Sequence, residues 1–128
     1  MNNPENNLYS KEHTWLKQEG ETALVGITFF AQSELGEIVY VDLPKPGLSF
    51  KQDEEFGSVE ALKTTSDLFM PVSGEIIEIN DQLDKKPDLI NSDPFGEGWM
   101  IKIKILQPSE IANLLSAENY KTITGNQV

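Results

Sequence analysis

The chain has 128 residues, 38% hydrophobic and 24% charged, with a formal net charge of −11. That is the length and composition of one globular domain, and its acidity argues against nucleic acid and anionic membrane surfaces, whose phosphates would repel it. Cysteine is absent, histidine occurs once and all ten basic residues are lysines, which excludes disulfides, thiolate chemistry and paired-histidine metal or catalytic centres.

Residues 1–7 are polar and asparagine-rich, and a flexible N-terminal segment is expected there, with the domain proper at 8–128. The segment has neither the basic start and apolar core of a secretory signal nor transit-peptide arginines, so a cytoplasmic location is expected. No apolar run reaches the roughly 18 residues of a membrane helix. From Tyr9 to Lys17 aromatic and polar residues mix without helical spacing, which predicts an extended edge. Gly20 marks a turn, and Ala23 to Ile27 reads as a short apolar strand. Thr28 is placed to cap a brief helix, Phe29 to Leu35, that Gly36 ends.

Ile38 to Leu43 is β-prone and is broken by Pro44, Pro46 and Gly47. Leu48 to Phe50 resumes an extended run, and Lys51 to Glu55 reads as a solvated turn. Phe56–Ala61 and Leu68–Val72 form two apolar arms around Lys63 and the small polar residues that follow it, a hairpin with the lysine at its tip. Gly74 to Ile79 is a further strand. Asn80 to Pro94 is a polar connection that Leu89-Ile90 is placed to pin to the core. From Trp99 to Ile105 the second half alternates, predicting Ile101, Ile103 and Ile105 inward with Lys102 and Lys104 toward water. Pro108-Ser109-Glu110 opens a helical tail whose apolar stripe is Ile111, Leu114, Leu115 and Tyr120.

The chain also resembles itself. Gly36-Glu37-Ile38-Val39-Tyr40-Val41 is echoed by Gly74-Glu75-Ile76-Ile77-Glu78-Ile79, and Phe56-Gly57 by Phe95-Gly96. The echo suits two similar half-sheets packed face to face, with Lys63 at the turn joining them. Trp15 and Trp99 are expected in the core. Gly96 and Gly98 read as requirements of a tight loop, since a phosphate cradle needs a third glycine and a following helix. A lysine held at an exposed tip is not desolvated, which argues against Schiff-base chemistry and for modification by another enzyme.

Many local patterns, in order from about Leu8 to Tyr120, resemble the glycine cleavage H-protein family. They include Lys11-Glu12-His13-x-Trp15, Val25-Gly26-Ile27-Thr28 and Leu35-Gly36-Glu37-Ile38-Val39. Val41-Asp42-Leu43-Pro44, Pro71-Val72-Ser73-Gly74-Glu75, Leu89-Ile90-Asn91-x-Asp93-Pro94 and Gly96-Glu97-Gly98-Trp99 continue the series. The resemblance implies an all-β barrel-sandwich hybrid of the lipoyl/biotinyl type: two antiparallel sheets, short peripheral helices and a C-terminal helical tail. It implies that Lys63 carries lipoate in amide linkage, that the chain has no catalytic residues of its own and no metal, and that it carries an aminomethyl unit. The implied partners are a pyridoxal-phosphate glycine decarboxylase, a tetrahydrofolate-dependent aminomethyltransferase, a flavin-dependent dihydrolipoamide dehydrogenase and a lipoate-attaching enzyme. A monomer suits a carrier that visits several enzymes.

Glu60 and Asp67 flank the tip and are candidates for recognition or arm contact, as is Thr14, which stands where the family commonly has a glutamate that shelters the loaded amine. Around the lysine, Glu60-Ala61-Leu62-Lys63-Thr64 departs from the family's Glu-Ser-Val-Lys-Ala toward the biotin carriers' Glu-Ala-Met-Lys-Met. The methionine after the lysine is absent, and biotin carriers lack the Trp15 and Gly96-to-Trp99 patterns. A lipoyl relay protein serving other enzymes and a biotin carrier are the alternatives.

Overall fold

The computed structural model describes residues 3–125; Met1, Asn2 and 126–128 lie outside the described residues. In chain order the first elements are β1 (Leu8–Tyr9), β2 (Thr14–Glu19), β3 (Thr22–Ile27), α1 (Phe29–Leu35) and β4 (Ile38–Asp42). Next come β5 (Ser49–Phe50), β6 (Glu55–Ala61), β7 (Thr65–Phe69) and β8 (Gly74–Ile79). After them come α2 (Gln82–Lys85), α3 (Leu89–Ser92), β9 (Ile101–Ile105), a 3-10 turn Pro108–Asn113 and α4 (Ala117–Ile123). The strands form a six-stranded sheet, β1-β2-β3-β9-β8-β5, and a three-stranded sheet, β4-β6-β7, with every pairing antiparallel. This is the barrel-sandwich hybrid that the family resemblance implies.

Alternation builds the core. On β9, Ile101 and Ile103 are fully buried and Ile105 nearly so, while Lys104 is exposed. The small sheet contributes Ile38, Val41, Phe56, Val59, Ala61 and Leu68 to the same interior, each large side chain adding roughly 1.5–3 kcal/mol by leaving water. A second cluster packs Tyr9, Trp15 and Tyr120 beneath the C-terminal tail. Trp15 Nε1 donates to the Pro94 carbonyl at 2.9 Å. The ring lies over Gly26, its cross-strand partner, where a Cβ would come within 2.8 Å of it. Glu110 anchors the tail: its carboxylate accepts from the Ser73 N–H at 2.7 Å and the Ser73 hydroxyl at 3.0 Å.

Several expectations change. Within the segment expected to be flexible, Asn3 and Asn7 are buried while Glu5 and Asn6 are exposed, and the Pro4 carbonyl accepts from the Tyr9 hydroxyl at 2.6 Å. The expected single edge over Tyr9–Lys17 is two strands, because His13 takes a left-handed φ of 69° and the chain turns there. The 80–94 connection contains α2 and α3, one turn each, which bury Leu83 and Ile90. Trp99 is only half-buried, packed against the second cluster. The two Gly-Glu-Ile echoes fall one in each sheet, at β4 and β8, but the sheets have three and six strands. Lys63 therefore joins two strands of the small sheet and does not link the sheets.

Candidate functional site

The β6–β7 ladder pairs Ser58 with Asp67, Val59 with Ser66 and Glu60 with Thr65. It closes where the Ala61 N–H donates to the Thr64 carbonyl at 2.8 Å. Leu62, Lys63 and Thr64 connect the two strands, and none adopts a positive φ. The tip is thus tighter than the sequence suggested, since Thr65, Ser66 and Asp67 belong to the strand. It is a short loop without glycine, closed by a backbone hydrogen bond. Lys63 is exposed, and Leu62 beside it is 70% exposed.

Alternation gives this hairpin two different faces. Val59 and Leu68 are buried in the core, while Glu60 and Asp67 are exposed. Glu60 lies opposite Tyr40 on one side and Thr65 on the other. Thr14 is elsewhere in chemical terms: it is 1% exposed, its hydroxyl is 2.6 Å from that of Ser10, and its N–H also meets the Ser10 hydroxyl. Of the three residues singled out beside the lysine, Asp67 reaches the cleft described next, Glu60 stays near the tip and Thr14 is absorbed into a turn.

Beside the hairpin lies a cleft of about 290 Å³, walled by α1, by the Glu12-His13 turn and by the inner flank of β6 and β7. Its apolar lining includes Ile27, Phe30, Leu35 and Leu68, and its carboxylates are Glu12, Glu34 and Asp67; no lysine lines it. Phe30 and Glu34 are four residues apart, as are Ala31 and Leu35, which puts all four on adjoining faces of α1. The sequence carried that spacing. What it did not carry was the opposing wall, because Glu12-His13 and α1 meet only through the fold.

The walls are fixed from behind. The Thr28 hydroxyl caps α1 by accepting from the Ala31 N–H at 3.2 Å. The Tyr120 hydroxyl lies 2.7 Å from Thr28 Oγ1 and 2.7 Å from His13 Nδ1. His13 also packs on Phe30, with ring centroids 5.0 Å apart. Burial pulls His13 below the ordinary histidine value, against the opposing pull of Glu12 and Glu34. Burial likewise pushes the Tyr120 phenol up to about 12, with the Thr28 hydrogen bond acting the other way. No helix among the described residues is long and apolar enough to cross a membrane.

An exposed lysine at the tip of a hairpin in a barrel-sandwich hybrid is the arrangement of a carrier domain. The comparisons say which carrier. The family model for the glycine cleavage H-protein matches residues 7–127. The glycine cleavage system H protein of Symbiobacterium thermophilum is 50% identical over 123 residues, covering 96% of each chain. That of Bacteroides fragilis is 50% identical, covering 96% of this chain and 98% of its own. The crystal structure of a glycine cleavage system H protein from Mycobacterium marinum superposes with a TM-score of 0.89 at 34% identity, over 96% of this chain and 99% of the other. The chain belongs to the glycine cleavage H-protein family, the lipoyl carriers of the glycine cleavage system.

Proposed function

We propose that Lys63 bears lipoate in amide linkage and that the neighbouring cleft shelters the loaded arm between enzymes. The observation that carries this reading is the short 62–64 loop, which holds Lys63 in solvent on the hairpin whose strands also line a cleft with apolar walls and three carboxylates. The residues fit the group. Ile27, Phe30, Leu35 and Leu68 match an aliphatic arm, and Glu12, Glu34 and Asp67 match a cationic amine carried at its end. Bound lipoate supplies a disulfide–dithiol pair that accepts a one-carbon amine unit and two electrons. The chain's own contribution is presentation: a short tip keeps the arm at high effective concentration for each partner active site.

The partners in this reading are the pyridoxal-phosphate decarboxylase that loads the arm, the folate-dependent aminomethyltransferase that unloads it and the flavin dehydrogenase that reoxidises it. A lipoate-attaching enzyme acts first, reading Lys63 together with Glu60 and the exposed Leu62. A monomer serves this best, because one tip must enter several active sites.

The test is the intact mass of the protein from lipoate-replete native cells. A lipoyl adduct is expected, and it should vanish in Lys63→Arg, whose stability should stay within about 0.5 kcal/mol of the parent because the site is exposed. An unmodified native protein would sink the proposal. Glycine–carbon dioxide exchange with the decarboxylase separates the carrier from a lipoyl relay, and streptavidin capture would identify a biotin carrier instead.

A further inference from the structure

The hydrogen bonds behind the cleft run in one direction. Thr28 is fully buried and its Oγ1 already accepts from the Ala31 N–H, so the Thr28 O–H needs an acceptor inside the protein. Among the described residues its other partner is Tyr120 Oη at 2.7 Å. If Thr28 donates to Tyr120, the equally buried Tyr120 O–H is free to donate onward, and its remaining neighbour is His13 Nδ1 at 2.7 Å. A nitrogen that accepts carries no proton. With the direction reversed, His13 would donate to Tyr120 and Tyr120 to Thr28, and the Thr28 hydroxyl proton would be left without an acceptor. Only the first arrangement satisfies every donor.

We infer that Tyr120 is a positioning residue, which holds His13 uncharged with its proton on Nε2, as a neutral hydrogen-bond donor in the wall of the cleft. The functional consequence rests on the reading of the cleft as the arm's shelter. A neutral donor can meet the carbonyl of the arm's amide without setting a second positive charge beside a cationic cargo. The groups around His13 are Glu12 on its own turn, Glu34 on α1, Asp67 across the cleft on β7, and Tyr120 with Tyr9 stacked on it at 4.9 Å. Burial pulls His13 toward the neutral form, and Glu12 and Glu34 oppose it. The tail helix α4 thereby reaches the cleft through one oxygen atom. The left-handed backbone of His13 and the carbonyl that it offers to the Thr28 N–H at 3.1 Å hold the ring's backbone in register with α1.

His13 is the chain's only histidine, so imidazole 15N spectra of the full-length protein are unambiguous. At pH 7.5 the wild type is expected to show an unprotonated Nδ1 and a protonated Nε2. Tyr120→Phe, which keeps the stacked ring and removes the hydroxyl, should move both resonances toward the tautomer mixture of a free imidazole. Thr28→Val, which removes the upstream donor, should leave Nδ1 unprotonated, because the buried Tyr120 O–H still has His13 Nδ1 as its acceptor. A wild type protonated on Nδ1, or charged, would overturn the inference, as would unchanged shifts in folded Tyr120→Phe. With lipoylated protein, Tyr120→Phe should hydrolyse its loaded arm several-fold faster while accepting lipoate at the parental rate. Should the loaded wild type hydrolyse as fast as the free dihydrolipoamide adduct, the shelter reading falls, and the spectrum still decides the tautomer.

Discussion

Asn91 offers the sharpest test of how the cleft is held together. Its Oδ1 accepts from the Ile38 N–H at 2.9 Å, while its Nδ2 donates to Gln32 Oε1 at 2.9 Å and to the Gly36 carbonyl at 2.8 Å. One side chain thus ties the end of α1 to the start of β4. α1 has only seven residues, too short to hold its form alone, and it depends on the Thr28 cap at one end and Asn91 at the other. In Asn91→Ala the Gly36 carbonyl and the Gln32 amide face an open groove and regain water. The Ile38 N–H belongs to a residue that is 1% exposed and stays poorly solvated. An orphaned buried donor costs about 1–3 kcal/mol and each of the two rehydrated bonds roughly 0.5 kcal/mol, so a total of about 2–4 kcal/mol is expected. That corresponds to a melting temperature lower by roughly 6–12 °C for a domain of this size. Gln32→Leu conserves volume and breaks one of the three bonds, and should cost less than about 1 kcal/mol. Urea unfolding measures both, and amide exchange across residues 30–35 should quicken in Asn91→Ala before the rest of the chain. An Asn91→Ala protein within 0.5 kcal/mol of the parent, or no worse than Gln32→Leu, would refute the reasoning.

Glu110→Ala should destabilise by about 1.5–3 kcal/mol, because it strips two charge-assisted bonds from the buried Ser73; urea titration reads this, and a loss under 0.5 kcal/mol would speak against the anchor. His13 is held below its ordinary value of 6.5, so the folded chain binds fewer protons than the unfolded one. Its contribution is therefore present above about pH 6.5 and drains as pH falls through the folded value. Wild type should lose more stability between pH 7 and 5 than His13→Asn, in which asparagine tolerates the left-handed backbone; a steeper loss in the variant would contradict this. Glu12→Gln should shorten the protected life of the loaded arm by a factor of about two, the worth of roughly 0.4 kcal/mol from one solvent-exposed carboxylate. Thr14→Val should leave that lifetime unchanged while lowering thermal stability, because the Thr14 hydroxyl is spent on Ser10.

Where local chemistry decides structure, the sequence is readable. Thr28 and Gly36 bracket α1 because one hydroxyl caps its start and the Gly36 N–H closes its end on Gln32 at φ 84°. The isoleucine alternation of β9 and the whole of β8 are equally local. The tip was found but drawn too long. Thr65, Ser66 and Asp67 have turn-like composition, yet they form a strand because β6 offers them a ladder. Thr14 was placed by its neighbours in the chain, and only the turn at His13 shows that its hydroxyl faces Ser10. The cleft was the least legible part. Tyr120 and His13 are 107 positions apart, and no periodicity links a tail residue, a turn and a helix cap.

The hairpin resolves a conflict built into any carrier. The lysine has to be free for several enzymes, yet a reactive cargo has to be withdrawn from water. A flexible loop would serve access and defeat shelter, since the arm's root would wander away from any fixed cleft. Here three residues without positive φ join two paired strands, so in the proposed carrier the root is tied to the ladder and the motion is left to the arm. Strand alternation then lets one ladder serve both needs. Leu68 and Val59 face the core and help to form the cleft, while Glu60 stays outward near the tip and Asp67 stands at the rim between them. In the proposed function, position 14 need not supply a carboxylate. Glu12 and Glu34 already face Asp67 across the cleft, and a cation needs charge near it, not charge from one particular position.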